Sequence, residues 1–475
     1  MENSSEYSSD PQGGAHSPLY SGATPEQVAA DLAPLIDFAA DGLPLDELRR
    51  LIEGQLLPHL MDYSHPGFQS MFNGAAEAGA LLGAQVALAA NQGVTNWQVS
   101  PGGAMLEELC VGALCRLFDL SPESDATFMY SGTYANQQAL YLALHRHAQR
   151  AGFDLAQYGV SGFDAPERLS ILVSADAHFS LRHAVRMLGL GEHALMSVPV
   201  DENRRIDLDT LREIIYRCRA THDFFCMVAT AGTTATGAVD PIAPMADLCG
   251  EIGAWLHVDG AYGYAYKLVP GWSHLFVGDR RADSITWDPH KQLSIPIPNS
   301  LLFLRDSDEF ARMALHSAYF NRADDPHPNP GLKSPPSTRP MAALPLVSSL
   351  RHRGLDRIVS DLQAPLAAIR DLASELESRA EIQTCHTPDT GILCLRVVPK
   401  PGMKESEIDE LQHLLYRRTL AGGRRAVAIT TLDGRPALRL VAVDPTAALQ
   451  QFLETIHELV QLAVEVSGPH FQQGD

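Results

Sequence analysis

Two neighbouring stretches decide the fold of this chain: WLHVDGAYG, residues 255–263, and ADSITWDPHK, residues 282–291. Each carries a short apolar run of the kind found in strands buried on both faces. A charged side chain closes or follows each run, Asp259 in the first and Lys291 in the second. Taken singly, each has an ordinary explanation: an ion pair between Asp259 and an arginine, or a surface position for Lys291. Taken together, they predict a functional site at the end of neighbouring strands.

Further apolar runs alternate with helical patterns from about residue 165 to residue 306. The strand-like runs are LSILVSA (169–175), FFCMVATAG (224–232) and NSLLFLRD (299–306). Between two of them, the segment around 239–255 is predicted to be a helix that Asp240 caps and Gly253 ends. Alternation of this kind predicts right-handed crossovers and a mostly parallel α/β sheet. Ligands bind such sheets outside the carboxyl ends of the strands.

The residues that follow the other predicted strands suit one ligand. Gly132 and Thr133 open a helix after FMY (128–130), where backbone N–H groups favour an anion, although a plain N-terminal cap is the commoner explanation of such a turn. His178 follows the run 169–175, and Thr234 lies in a hydroxyl-rich turn that either binds a ligand or only closes the turn. An anion cradle, a histidine, a carboxylate for a ring nitrogen and an amine for an aldehyde together indicate pyridoxal phosphate.

The composition excludes several classes of binding partner. The 475 residues carry a formal net charge of −21, which disfavours nucleic acid and anionic membrane surfaces. No apolar run is long enough to predict a membrane span, and the polar N-terminus does not resemble a signal peptide. Seven scattered cysteines without a C-x-x-C pair predict reduced thiols in a cytoplasmic protein and no zinc site.

The sequence pattern changes after about residue 350. GILCLRVVP (391–399) is typical of a strand, and a helical pattern and two strands around an Asp-Gly turn follow it. This order predicts a smaller α+β domain. Before it lies the proline-rich segment 321–340, which is typical of a linker or a functional loop.

The chain resembles the group II pyridoxal-phosphate decarboxylases, which include the aromatic-L-amino-acid, glutamate, cysteine-sulfinate and 2,4-diaminobutyrate enzymes. The similarity runs from SHPGF (64–68) to ALRLVAVDP (437–445). HVDGAYG followed by ADSITWDPHK is its most specific part, and SADAHFSLRHAVRMLGLG (174–191) is nearly as specific.

This resemblance implies a role for each matching residue. Lys291 would form the internal aldimine, Asp259 would pair with the pyridinium nitrogen, and His178 would stack on the ring. The remaining cofactor contacts would come from the phosphate-binding Gly132, Thr133 and His290, and from Thr234 and Ala261 against the ring. The implied reaction converts an L-amino acid to its amine and CO2 through an external aldimine and a quinonoid.

The resemblance also implies the aspartate-aminotransferase-like fold (fold type I), with a seven-stranded, mostly parallel sheet, in a homodimer with active sites at the interface. We therefore expect four parts, which are a disordered leader (1–23), an N-terminal helical segment that packs on the partner subunit (24–73), a large cofactor-binding domain (74–348) and a small α+β domain (349–475).

The chain departs from the family pattern near the predicted site. Asp288 stands where Asn is usual before the PHK motif, and Tyr134 replaces an acidic residue after Thr133. Segment 321–340 contains no tyrosine, although aromatic-amino-acid relatives carry a proton-donating tyrosine in the matching loop. Tyr319 or His327 could take that role.

Two alternatives therefore stay open. One is the same cofactor with a diverted outcome, as in an oxidative aldehyde synthase, a C–C lyase or an aminotransferase. The other is a catalytically silent dimer with the same fold. Phe72 and Trp97 are predicted either to face the substrate side chain or to belong to the core, and an apolar or aromatic amino acid is the first expectation for the substrate.

Overall fold

The computed structural model describes residues 18–38, 41–317, 321–322 and 324–467. Within these residues the helices are α1 Pro25–Leu32, α2 Leu45–Gln55, α3 Ala78–Ala90, α4 Pro101–Leu117, α5 Gly132–Arg150, α6 Leu155–Tyr158, α7 Ser180–Met187, α8 Leu208–Cys218, α9 Ile242–Ile252, α10 Ala343–Leu376, α11 Glu405–Ala421 and α12 Leu449–Val466. The strands are β1 Phe68–Gln69, β2 Asp125–Met129, β3 Leu169–Ser174, β4 Leu195–Val198, β5 Asp223–Thr230, β6 Trp255–Asp259, β7 Ser284–Trp287, β8 Ser300–Leu304, β9 Ile382–Thr384, β10 Ile392–Val397, β11 Ala426–Leu432 and β12 Arg435–Val441.

The chain forms two compact units. The larger comprises residues 76–367 and 386–392, and the smaller comprises 368–385 with the described parts of 1–75 and 393–475. The predicted division at 73/74 and 348/349 stays a prediction, and most of the predicted leader lies outside the described residues.

The larger unit is built on a seven-stranded sheet in the order β2-β8-β7-β6-β5-β3-β4. Strands β4, β3, β5, β6 and β7 pair in parallel, whereas β8 is antiparallel to both of its neighbours. Every residue of β3, β6 and β7 is buried, as expected for strands covered on both faces. The predicted mostly parallel α/β fold of type I is confirmed.

The smaller unit contains a five-stranded sheet in the order β1-β11-β12-β10-β9. The hairpin between β11 and β12 turns at Asp433 and Gly434, whose φ angles are 50° and 78°. Positive φ at both central residues is the geometry that an Asp-Gly turn favours. The core of this unit includes Ile369, Leu395, Leu438 and Ile456, so the predicted α+β character is confirmed.

The predicted cap of α9 is wrong. Asp240 does not bond to the first turn of this helix; its carboxylate accepts hydrogen bonds from the backbone N–H groups of Ile206 and Thr230, each at 2.7 Å. Burial raises the pKa of Asp240 to about 7. The local pattern could not show this because both partners are distant in sequence. Gly253 does end the helix, with φ 71°.

Among the described residues, no helix combines the length and apolar character that a membrane crossing requires. All seven cysteines lie among the described residues.

Candidate active site

The carboxyl ends of three adjacent strands gather the predicted site. Asp259, the last residue of β6, pairs in register with Thr230 of β5 on one side and Thr286 of β7 on the other. Thr234 follows β5, and Lys291 follows β7, so these residues emerge at one edge of the sheet. His178 follows β3, the next strand along. The topology thus places the predicted residues where α/β sheets bind ligands.

Lys291 lies at this edge with a carboxylate beside it. Its Nζ is 3.0 Å from Oδ2 of Asp288, and the lysine side chain is 21% exposed. The chain has only five lysines, of which Lys267 and Lys333 are the others in the larger unit. Lys267 is bound to Asp279, and Lys333 is bound to Glu108 and Asp125. Of these three lysines, Lys291 is the one that follows β7 at the strand ends.

Asp259 is buried and held in one orientation. It is 5% exposed. Its Oδ2 accepts a hydrogen bond of 2.8 Å from Nδ2 of Asn136, and its Oδ1 accepts one of 3.2 Å from the backbone N–H of Ala261. Each carboxylate oxygen can accept a further bond. A protonated ring nitrogen is a suitable donor for this position.

A chain of buried hydrogen bonds fixes Asn136, the partner of Asp259. Trp255 Nε1 donates to Ser284 Oγ at 2.7 Å, and Ser284 Oγ lies 2.8 Å from Nδ1 of His257. His257 Nε2 lies 3.0 Å from Oδ1 of Asn136. One set of directions satisfies the whole chain: Ser284 donates to Nδ1, and Nε2–H donates to Asn136. The amide then points its NH2 group at Asp259.

Asn136 and His257 were not predicted as site residues. His257 lies two residues before Asp259 on the same strand, and Asn136 lies one helical turn after Gly132. The i, i+2 and i, i+4 spacings place both on the face that carries a predicted site residue. Those spacings were the available signal, but the contact between the two elements depends on the tertiary fold.

Replacing Asn136 with Ala should destabilise the protein by about 3 kcal/mol. The substitution leaves Asp259, Ser180 and Thr286, which all bond to this amide, with unmet buried polar atoms. Chemical denaturation monitored by tryptophan fluorescence measures the loss. The exposed Asn203 offers a matched Asn-to-Ala control that should change stability by less than about 0.5 kcal/mol. Equal stabilities of the two variants would contradict the importance of the network.

His257 should make stability depend on pH. Burial lowers the pKa of His257 to about 4, whereas an unfolded histidine titrates near 6.5. The unfolded chain therefore gains a proton between about pH 6.5 and 4 that the folded chain does not, and stability falls as the pH falls through this range. The loss at pH 5 is on the order of 2 kcal/mol.

The measurement compares denaturation midpoints from pH 7 to pH 5 for the wild type and His257→Gln, whose amide can replace Nε2–H as a donor. The wild-type midpoint should fall more steeply. Parallel curves would show that His257 does not carry the effect.

His178 lies close to both charged groups of the site. Burial lowers the pKa of His178. The charge of Asp259 acts against this shift, and the charge of Lys291 adds to it. Its Nδ1 accepts a hydrogen bond of 3.2 Å from the backbone N–H of Ser180, so the neutral ring carries its proton on Nε2. The ring can present an uncharged face to a ligand.

The start of α5 fits a phosphate group. Ser131 caps the helix by accepting from the backbone N–H of Tyr134, and half-buried Thr133 lies in the first turn. A Cβ on Gly132 would lie 2.8 Å from Oδ2 of Asp288 and 3.1 Å from Cβ of Ala261. This close approach requires glycine at position 132 and brings Gly132, Ala261 and Asp288 together. The N-terminus of α5 fits the phosphate of pyridoxal phosphate, the buried carboxylate of Asp259 fits its ring nitrogen, and the amine of Lys291 fits its aldehyde.

His290 lies against the backbone of Asn299 and near Asp288. Its Nδ1 lies 2.6 Å from the carbonyl oxygen of Asn299, so the neutral ring donates from Nδ1 and carries a lone pair on Nε2. Burial lowers its pKa. The predicted phosphate contact through Nε2 would therefore require a second proton on the ring.

The threonine-rich turn divides into two kinds of residue. Thr233 and Thr236 are buried and bond to each other at 2.8 Å, and Thr233 Oγ also accepts from the backbone N–H of Ala238. These two hydroxyls close the turn. Thr234 is half-buried between them. The predicted contact of Thr234 with the cofactor stays a prediction.

The predicted substrate residues lie in different surroundings. Trp97 stacks on His327, with ring centroids 5.0 Å apart, and Nδ1 of His327 is 2.6 Å from Asp325. Phe72, in the smaller unit, lies beneath the guanidinium of Arg439 at 5.1 Å. Tyr319 lies outside the described residues. A cavity of about 860 Å³, lined by Met129, Tyr130, Tyr134 and Pro298 among others, begins beside α5 and does not include Lys291.

Comparisons with known proteins agree with this site. Residues 29–398 match the pyridoxal-dependent decarboxylase conserved domain. L-2,4-diaminobutyrate decarboxylase of Rhizobium meliloti (strain 1021) is 30% identical over 94% of this chain and 88% of that protein. Aromatic-L-amino-acid decarboxylase of Bacillus atrophaeus is 25% identical over 89% of this chain and 86% of that protein.

A solved structure is also similar along most of its length. The glutamate decarboxylase domain of diaminobutyrate-pyruvate transaminase and L-2,4-diaminobutyrate decarboxylase from Vibrio parahaemolyticus has a TM-score of 0.85 and 25% identity, and the match covers 94% of this chain and 91% of that one. The chain belongs to the pyridoxal-dependent decarboxylases and is an enzyme that converts an amino acid to an amine and CO2 with pyridoxal phosphate as its cofactor.

Proposed function

We propose that Lys291, Asp259 and His178 are the catalytic residues of this decarboxylase. The observation that carries the proposal is the buried carboxylate of Asp259, fixed by Asn136 at the edge of the sheet from which Lys291 emerges. When bound, pyridoxal phosphate supplies an aldehyde carbon that joins to amines. Its ring accepts the electron pair that stays on the substrate when CO2 leaves.

Each residue has a definite task in this proposal. The amine of Lys291 would hold the cofactor. Asp259 would accept a hydrogen bond from the ring nitrogen and keep a proton on it. His178 would cover one face of the ring with a neutral imidazole and exclude water from that side.

The remaining cofactor contacts are proposed by position. Gly132 and Thr133 direct the backbone N–H groups at the start of α5 toward the phosphate. Ala261 and Thr234 lie after β6 and β5, on the edge that would face the ring. His290 adds a phosphate contact if it gains a second proton there.

L-2,4-diaminobutyrate is the substrate we propose to test first. The relative with 30% identity over 94% of this chain bears the name of the enzyme that decarboxylates it. Aromatic and acidic amino acids come next, because other relatives at 25–29% identity bear those names. The earlier expectation of an apolar or aromatic substrate is one arm of the same test.

The oligomeric state, the domain division and the cellular location are also proposals. We propose a homodimer in which the segment 24–73 packs on the partner subunit, as the family resemblance implies. The domain division at 74–348 and 349–475 is proposed from the change of sequence pattern after about residue 350. The seven scattered cysteines without a C-x-x-C pair suit a reducing compartment such as the cytoplasm.

The deciding experiment incubates the cofactor-loaded protein with these amino acids in air and identifies the products by mass spectrometry. Loss of CO2 from L-2,4-diaminobutyrate would give 1,3-diaminopropane. An aldehyde with peroxide, or a keto acid, would replace the amine as the assigned product. Turnover of an aromatic or acidic amino acid alone would contradict the substrate proposal and leave the reaction class unchanged.

A further inference from the structure

Asp288 places a carboxylate at the mouth of the phosphate site. It follows β7 directly, and its side chain is 3% exposed. Both carboxylate oxygens lie within 3.0 Å of the position that a Cβ on Gly132 would occupy. The carboxylate therefore faces the first residue of α5, where backbone N–H groups favour an anion.

One oxygen of this carboxylate has no hydrogen-bond partner within the described part of the chain. Oδ2 lies 3.0 Å from Nζ of Lys291 and 3.8 Å from Nε2 of His290, whereas Oδ1 is buried and makes no hydrogen bond. A buried carboxylate oxygen without a donor is costly. The N-terminus of α5 and the ammonium group of Lys291 are thus the favourable surroundings of the Asp288 carboxylate.

The charge balance here is unfavourable for a second anion. Asp288 and Asp259 are both buried at this edge, and the ammonium group of Lys291 lies beside Asp288. Burial lowers the pKa of both nearby histidines, His178 and His290, so neither adds a positive charge. A bound phosphate group would face the carboxylate across the first turn of α5, and like charges in a buried site repel strongly.

We propose that Asp288 weakens the binding of pyridoxal phosphate by opposing its phosphate group, so that this decarboxylase exchanges its cofactor readily. Asp288 is then a positioning residue that sets cofactor affinity through charge. The proposal rests on the assignment of Lys291 and Gly132 in the proposed function. An asparagine at 288 has nearly the same shape, removes the charge and offers an N–H donor to the phosphate.

The test measures dissociation constants of the full-length protein for pyridoxal phosphate and for pyridoxal, which lacks the phosphate. The visible absorbance of the lysine-linked cofactor reports binding. The ratio of the two constants isolates the contribution of the phosphate. In Asp288→Asn we expect pyridoxal phosphate to bind at least about tenfold more tightly relative to pyridoxal than in the wild type.

The controls separate the possible failures. Asp209→Asn makes the same charge change at a fully exposed position of α8 and should leave the ratio unchanged. If both ligands gain equally in Asp288→Asn, the carboxylate acts only through Lys291 and the proposal is wrong. Weaker binding of pyridoxal phosphate would make Asp288 a phosphate-holding residue, which also overturns it. Absence of lysine-linked absorbance in the wild type would instead refute the proposed function.

Discussion

Replacing Lys291 with Ala should abolish the visible absorbance of the lysine-linked cofactor and lower kcat by at least about 10⁴-fold. The reason is that Lys291 is the lysine of the larger unit that follows β7, at the sheet edge where Asp259 ends β6. Lys267 and Lys333 are held in ion pairs with Asp279 and with Glu108 and Asp125. Absorbance spectroscopy and single-turnover product analysis measure the two effects separately.

The matched control is Lys404→Ala, which removes an exposed lysine from the smaller unit. It should keep both the absorbance and the activity. Equilibrium dialysis adds a third reading, since Lys291→Ala should still hold some cofactor through α5 and Asp259 without linking it. Unchanged lysine-dependent absorbance in Lys291→Ala would show that another amine forms the link.

The sheet could be predicted from the sequence because its strands are local and distinctive. Residues 224–229 form a continuous apolar run, and residues 255–258 are apolar apart from His257, which favours strands buried on both faces. Their order along the chain, with helices between, leaves few topologies once right-handed crossovers are required. The antiparallel insertion of β8 between β2 and β7 depends on pairings that the pattern does not encode.

The site could be predicted only as far as strand ends mark it. Asp259 ends β6 and Lys291 follows β7, so their placement at one edge of the sheet could be predicted. Asn136 and His257 were missed because neither is unusual in its own segment; their importance comes from a contact between α5 and β6. Asp240 shows the opposite error, since a residue with the right local pattern for a cap bonds to distant backbone instead.

Residues expected to face the substrate were the hardest to predict. Trp97 and His327 are 230 residues apart in the chain and stack on each other, which no periodicity could have indicated. Phe72 packs against Arg439 within the smaller unit. Aromatic residues serve cores, stacks and ligand sites with the same chemistry, so their type alone does not assign a role.

Replacing Asp259 with Ala should lower kcat by about 10³-fold while leaving the lysine-linked absorbance present. Asp259 is the buried carboxylate that we propose to hold the proton on the ring nitrogen, and its removal makes the ring a weaker electron acceptor. Lys291 is untouched, so the cofactor should still be linked. The split between retained absorbance and lost kcat distinguishes this role from a structural one.

A cofactor analogue sharpens the test of Asp259. Pyridoxal phosphate methylated on the ring nitrogen carries a permanent positive charge and needs no carboxylate to maintain it. The space left by the shortened side chain should admit the methyl group. With the analogue, Asp259→Ala should react at least about tenfold faster than it does with pyridoxal phosphate. Asp247→Asn, at an exposed position of α9, is the control for a lost negative charge and should behave as the wild type does. Failure of the analogue to bind would leave the kcat and absorbance split to decide, whereas binding without any gain in rate would mean that Asp259 serves catalysis through something other than the charge on the ring.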